Sequence, residues 1–149
     1  MNEVAKKTRV IFLCTGNSAR SQMAEAFLRR FAGDHFEVHS AGFDPKEIHP
    51  YTRKVMEEAG YDLKGQHSKS LSEYTGKLHF GIIITVCRKA EEACPTMPGM
   101  GTRLFWDFED PAAFKGSKEE KLDIFRKTRD IVRNRILEWL QERGIEPNT

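Results

Sequence analysis

Long apolar runs are missing from this sequence. The run nearest the N-terminus spans only Val10 to Leu13 and follows a polar stretch from Met1 to Thr8. That is too short for a signal-peptide core or a membrane span, so a cytoplasmic protein with no membrane partner is expected. A dominant charge is missing too. The formal net charge is +2, with both signs interspersed, which favours neither nucleic acid nor an anionic membrane and leaves anion binding to a local site. Cysteine is scarce, and its count of three is odd. In a reducing compartment this points to reactive or metal-binding thiols more than to a structural disulfide. The plain alternative is three small buried hydrophobes. Internal repeats, linkers and low-complexity tracts are absent as well.

What remains is an ordinary globular composition. With 149 residues, 39% of them hydrophobic and 31% charged, the chain suits one domain over 1–149 with its own core and a flexible tail at 1–7. Thr8–Cys14 (TRVIFLC) reads as a buried parallel strand, and the turn cluster Thr15-Gly16-Asn17-Ser18 ends it. Ser21 to Phe31 has helical periodicity, and Phe36 to His39 is a second strand closed by Ser40-Ala41-Gly42. A helix is expected over Tyr51 to Ala59 behind Pro50, and a short one over Ser70 to Tyr74. Phe80 to Cys87 (FGIIITVC) is the strongest strand and belongs at the centre, with a shorter one at Arg103 to Trp106. Ser117 and Glu120 form a capping box opening a long helix to about Arg143, with Leu122, Phe125, Val132, Ile136 and Leu140 facing inward. Its charged run, Arg126 to Arg135, reads as a wet face. Strands alternating with helices imply an α/β domain around a mostly parallel sheet of about four strands, with ligands outside the carboxyl ends of the strands, where Cys14 and Cys87 fall.

The segment Cys14-Thr15-Gly16-Asn17-Ser18-Ala19-Arg20-Ser21 has the form C-x5-R-S between a strand and a helix. Gly16 and Asn17 tolerate positive φ, so the loop can curl and turn successive N–H groups inward. Such a ring of amides at a helix N-terminus binds a tetrahedral oxyanion, and Arg20 adds a bidentate donor. The same dipoles and the Ser21 hydroxyl favour a Cys14 thiolate placed under its electrophile. Ala19 leaves the sixth loop position inert. A nucleotide-type phosphate loop is excluded, because no Gly-Lys-Ser/Thr ending is present. The C-x6-C spacing of Cys87 and Cys94 is no zinc knuckle, and His35, His39, His49, His67 and His79 are scattered, with solvated or capping roles expected.

The loop, Ser40-Ala41-Gly42 and Asp110-Pro111 resemble the low-molecular-weight protein tyrosine phosphatase family. The string CTGNSARSQMAEAF, with Cys87 and Cys94, is more similar to its thioredoxin-coupled arsenate reductase branch. The resemblance implies a three-layer sandwich with a central four-stranded parallel sheet. It implies arsenate bound by residues 14–20, attack by Cys14, a relay through Cys87 and Cys94, and thioredoxin as reductant. Asp110 matches the family's general acid, with an Asp-Pro turn as the plain alternative. No organic cofactor is implied. Some members bind a monovalent cation such as potassium; Asn17, Glu25 and Ser40 match three of its ligands, while the aspartate position falls on Ser70. Two other functions stay open: a phosphatase needing only Cys14, Arg20 and Asp110, and an oxyanion sensor without turnover. Phosphatases of the family usually carry a second loop cysteine, where this chain has Ala19, and often a tyrosine after Asp-Pro, where it has Ala112. Both departures favour the reductase.

Overall fold

The computed structural model describes residues 7–94 and 101–148. The expected tail at 1–7, apart from Lys7, and Pro95 after Cys94 lie outside the described residues. Ten elements follow one another among the described residues. Strands β1 (Thr8–Cys14), β2 (Phe36–Gly42), β3 (Ile82–Thr85) and β4 (Thr102–Phe105) form one parallel sheet in the order β2-β1-β3-β4. Helices α1 (Arg20–Ala32), α2 (Pro50–Glu58), α3 (Arg88–Ala93) and α4 (Lys118–Glu142) alternate with them, and 3-10 turns lie at Leu71–Glu73, between α2 and β3, and at Pro111–Ala113, between β4 and α4.

Alternation of side chains across β1 builds the layers. Val10, Phe12 and Cys14 face the larger core, with Met23, Phe27 and Leu28 of α1 and the expected inner stripe of α4. Ile11 and Leu13 face the other way, with Ile83, under Leu71, Phe80 and Cys94. The result is the expected three-layer α/β sandwich. Ile82, Ile83 and Ile84 of β3 are buried, so truncating one to Ala costs about 2–5 kcal/mol.

The central strand is shorter than its apolar run. Gly81 N–H donates to Arg9 O at 3.0 Å and Val86 N–H to Leu13 O at 2.8 Å, so pairing continues on both sides of Ile82–Thr85. Cys87 then leaves the sheet, because its sulfur caps α3. The register Cys14↔Gly42 and Leu13↔Thr85 brings the carboxyl ends of β1, β2 and β3 level, which sets the position of the site. The long-helix capping box forms as read, with Ser117 and Glu120 each bonding the other's backbone N–H. The wet-face reading of Arg126 to Arg135 needs one correction: Arg129 is largely covered and donates to Val55 O at 2.8 Å, tying α4 to α2.

Candidate active site

The backbone of residues 14–20 is turned by its carbonyls. Thr15 O accepts from Asp44 N–H at 2.9 Å, Gly16 O from Lys46 N–H at 2.9 Å, Ser18 O from His49 N–H at 3.1 Å, and Ala19 O from Met23 N–H at 2.9 Å. Asn17 O accepts from Gln22 Nε2 at 3.0 Å, and Gly16 O also from the Ser68 hydroxyl at 3.1 Å. In a trans peptide C=O and N–H point oppositely. Carbonyls engaged outward therefore aim the amides from Gly16 to Arg20 inward, the concavity that holds an oxyanion. The segment from Phe43 to His49 supplies three of these outer clasps.

Within the loop Asn17 is the pivot. It takes φ +50°, the left-handed conformation that asparagine tolerates. Gly16 does not share it; the residue read as a second positive-φ position has an ordinary backbone angle, so the curl is carried by Asn17 alone among the loop residues. Asn17 N–H points at Cys14 Sγ at 3.2 Å, and Ser21 Oγ lies 3.1 Å from the same sulfur. The Asn17 side chain donates to Ser21 Oγ at 2.8 Å and Ser40 Oγ at 2.9 Å, and accepts from Gln22 Nε2 and Lys69 N–H. Every hydrogen-bonding capacity of this buried amide is used, which over-determines the loop. Gly42 lies against it: a Cβ there would stand 2.6 Å from Thr15 O and 3.0 Å from Asn17 N.

Arg20 opens α1 and reaches across to Phe108 O at 2.9 Å, with Asp110 Oδ2 3.8 Å from its guanidinium. The guanidinium is mostly covered and the carboxylate about half exposed, so Asp110 stands at the solvent side of Arg20. Its other oxygen accepts from Ala112 N–H at 3.0 Å. The Asp-Pro turn and a placement beside the loop's arginine therefore coexist.

The three cysteines are thiols and none is in a disulfide. Cys14 is 2% exposed and Cys87 5%. Cys87 Sγ lies 3.6 Å from Thr15 Oγ1 and accepts from Ala90 N–H at 3.4 Å, which places it against the loop. Cys94 ends α3, packed in the opposite core with Ile11 and Leu71. Burial pushes its thiol up, with Arg103 opposing and Glu91 reinforcing the shift. Seven residues of helical rise hold Cys87 and Cys94 about 10 Å apart, beyond the roughly 7 Å limit of a disulfide. Pairing them requires α3 to unwind.

Asn17, Glu25 and Ser40, the matched cation residues, converge, but their oxygens are engaged. The Ser40 hydroxyl donates to Glu25 Oε1, Arg29 pairs with Glu25 Oε2 at 2.7 Å, and Lys69 Nζ stands 3.6 Å from Glu25 Oε1. The expected fourth position also shifts. Ser70 caps the following 3-10 turn through Ser72 N–H, and it is the preceding residue, Lys69, that reaches the cluster. A potassium ion would need oxygens that already have partners, beside an ammonium, so these residues do not fit one. Among the described residues no group of three His, Cys, Asp and Glu side chains is placed to hold a metal ion. Gln22, Ser68, Lys69 and Arg103 were not readable as site residues, because no local pattern marks a polar side chain whose partners lie far along the chain.

Comparison with known proteins agrees with this geometry. Residues 9–146 match the model of the low molecular weight phosphotyrosine protein phosphatase family; the chain belongs to that family. An arsenate reductase of Bacillus licheniformis is 41% identical over 134 residues, 89% of this chain and 94% of that one. A solved arsenate reductase in a phosphate-binding state superposes with a TM-score of 0.72 at 27% identity, covering 91% of this chain and 98% of that chain. The thioredoxin-dependent arsenate reductase of Corynebacterium glutamicum gives a TM-score of 0.70 at 26% identity, over 94% of this chain and 63% of that one. No described helix is long and apolar enough to cross a membrane.

Proposed function

We propose that this protein reduces arsenate to arsenite, using Cys14 as nucleophile, Cys87 and Cys94 as relay thiols, and thioredoxin as reductant. The observation that carries the reading is Cys87 against Thr15 of the Cys14 loop, with Cys94 at the far end of the same short helix. The loop amides and Arg20 hold the tetrahedral oxyanion. The Cys14 thiolate attacks arsenic, and Asp110 protonates the departing oxygen. The Cys87 thiolate then attacks Cys14 Sγ. The sulfur–arsenic bond breaks, its electron pair stays on arsenic, and arsenite leaves beside a Cys14–Cys87 disulfide. Cys94, released as α3 unwinds, attacks Cys87 and frees Cys14. Thioredoxin reduces the Cys87–Cys94 bond. A reducing cytoplasm, where these thiols are restored between turnovers, is the compartment this chemistry needs.

The similarity to arsenate reductases supports the substrate, and the thioredoxin-dependent relative supports the reductant. The test supplies thioredoxin, thioredoxin reductase and NADPH, then adds arsenate. Sustained NADPH oxidation that is lost in Cys14→Ser, Cys87→Ser and Cys94→Ser is the expected result. Multiple turnover retained in either relay variant overturns the relay. No NADPH oxidation, with hydrolysis of an aryl phosphate, makes the chain a phosphatase acting through Cys14, Arg20 and Asp110.

A further inference from the structure

Behind the oxyanion loop lies a buried carboxylate that the reaction does not touch. Glu25 is 4% exposed, and a buried charge persists only where it is paired and hydrogen-bonded. On one side Arg29, one helical turn on and about half exposed, pairs with Oε2 at 2.7 Å. On the other, Lys69 enters from the segment before the 3-10 turn, its side chain 9% exposed, with Nζ 3.6 Å from Oε1. The ammonium also donates to His67 O at 2.7 Å. Oxygens surround it, one anionic and one a carbonyl, the ligand types a weakly hydrated monovalent cation takes.

The carboxylate is wired to the nucleophile. Ser40 donates to Glu25 Oε1, so the Ser40 oxygen is left to accept from Asn17 Nδ2 at 2.9 Å. That fixes which way the Asn17 amide faces. Its Oδ1 then accepts from Lys69 N–H at 2.9 Å, and its Nδ2 also holds Ser21 Oγ, 3.1 Å from Cys14 Sγ. Residue 69 is itself stitched to the end of β2, since Gly42 N–H donates to its carbonyl at 2.8 Å. The backbone contacts survive any side-chain change, so a variant isolates the ammonium.

We propose that the Lys69 ammonium is a built-in monovalent cation: it balances Glu25 and thereby sets the Asn17 amide that shapes the loop, with no potassium ion required. Lys69 is a positioning residue, and its role is independent of which oxyanion the loop takes. The two readouts use no arsenate, so this proposal and the reductase reading fail separately.

The experiment measures melting temperature and the rate of Cys14 alkylation by iodoacetamide, located by peptide mass spectrometry. Potassium chloride and choline chloride are compared at equal ionic strength, which holds screening constant. The wild-type chain gives the same values in both salts. Lys69→Ala opens space for an ion. In choline it melts lower and alkylates about five- to tenfold more slowly, and potassium raises its melting temperature by about 3–6 °C when present at ten times its dissociation constant. Lys69→Met, uncharged and space-filling, shows the loss without the rescue. Potassium-specific stabilisation of the wild-type chain overturns the proposal, and needs no variant to fold. So does Lys69→Ala matching wild type in choline, or losing both readouts with no recovery in potassium.

Discussion

Arg103 on β4 holds Glu91 of α3 twice, its Nη2 donating to the carboxylate at 2.7 Å and to the Glu91 carbonyl at 2.8 Å. Its Nη1 reaches Cys94 O at 3.3 Å, and the Thr85 hydroxyl donates to the other Glu91 oxygen. The helix carrying Cys94 is thus latched at its C-terminal end while its N-terminal end rests on the Cys87 sulfur. A helix this short has little stability of its own. Removing a latch of about 1–2 kcal/mol raises the population of the open segment about 5–30-fold. Arg103→Met should therefore speed Cys94 alkylation in the native protein by that factor, because opening relieves the burial that holds its thiol up. Cys14 alkylation should stay unchanged. Equal Cys94 rates in the two proteins would mean that α3 opens without help from this contact.

Gly42 ends β2 directly under the loop, and the Cβ of an alanine there would stand 2.6 Å from Thr15 O and 3.1 Å from Asn17 Cβ. Backbone on one side and a saturated amide on the other cannot both yield. Gly42→Ala should cost about 1–3 kcal/mol as overpacking and lower the melting temperature by a few degrees. Cys14 alkylation, and its protection by phosphate, should fall at least about tenfold as the loop deforms. A variant that melts lower but keeps both loop readouts would confine the clash to the sheet edge.

Much of this was legible beforehand, and the limits have physical causes. The strand Thr8–Cys14 and the capping box at Ser117 form as read, because a β-branched apolar run and a reciprocal cap are local signals. Helix bounds differ by a residue, the scale on which ends fray. The apolar run overstates the central strand because hydrophobicity reports burial, and Phe80 and Cys87 are buried outside the ladder. In the loop, Cys14, Asn17 and Arg20 stood in one contiguous motif. Lys69, Gln22 and Arg103 did not, since their partners are remote: Lys69 N–H meets Asn17 across 52 residues of chain. One adjacent residue made the difference between Ser70 and Lys69, and only the three-dimensional path of the backbone decides which side chain turns inward.

Asp110 carries two contacts that one substitution separates. Asn accepts from a following N–H nearly as well as Asp, so Asp110→Asn should keep the turn at Pro111–Ala113 and the melting temperature. It loses the ionisable proton beside Arg20. If Asp110 protonates the leaving oxygen, hydrolysis of an aryl phosphate, assayed as a side activity, should fall about 10²–10⁴-fold. Phosphate protection of Cys14 should persist. An unaffected hydrolysis rate would leave Asp110 as a turn residue and move the acid role elsewhere.

His49 gives the fold a pH dependence on its acid side. Its Nδ1 accepts from Tyr51 N–H at 3.0 Å, capping α2, while its backbone N–H donates to Ser18 O of the loop. Its ring lies 4.7 Å from that of Phe125. Burial holds it below its ordinary value of 6.5, with Asp110 opposing and Lys121 adding to the shift. A base depressed on folding takes up its proton more readily when unfolded, so unfolding binds protons below that value. Stability is then complete above the unfolded value and declines as pH falls through the folded one. Protonation also turns the capping acceptor into a donor. Urea unfolding at about pH 7.5, about pH 6.5 and about pH 5.5 should show stability falling with acid, by less than the ceiling of about 1.4 kcal/mol per pH unit for one proton. His49→Asn, which keeps a neutral cap acceptor, should flatten that slope. An unchanged slope in the variant would assign the acid sensitivity to other groups.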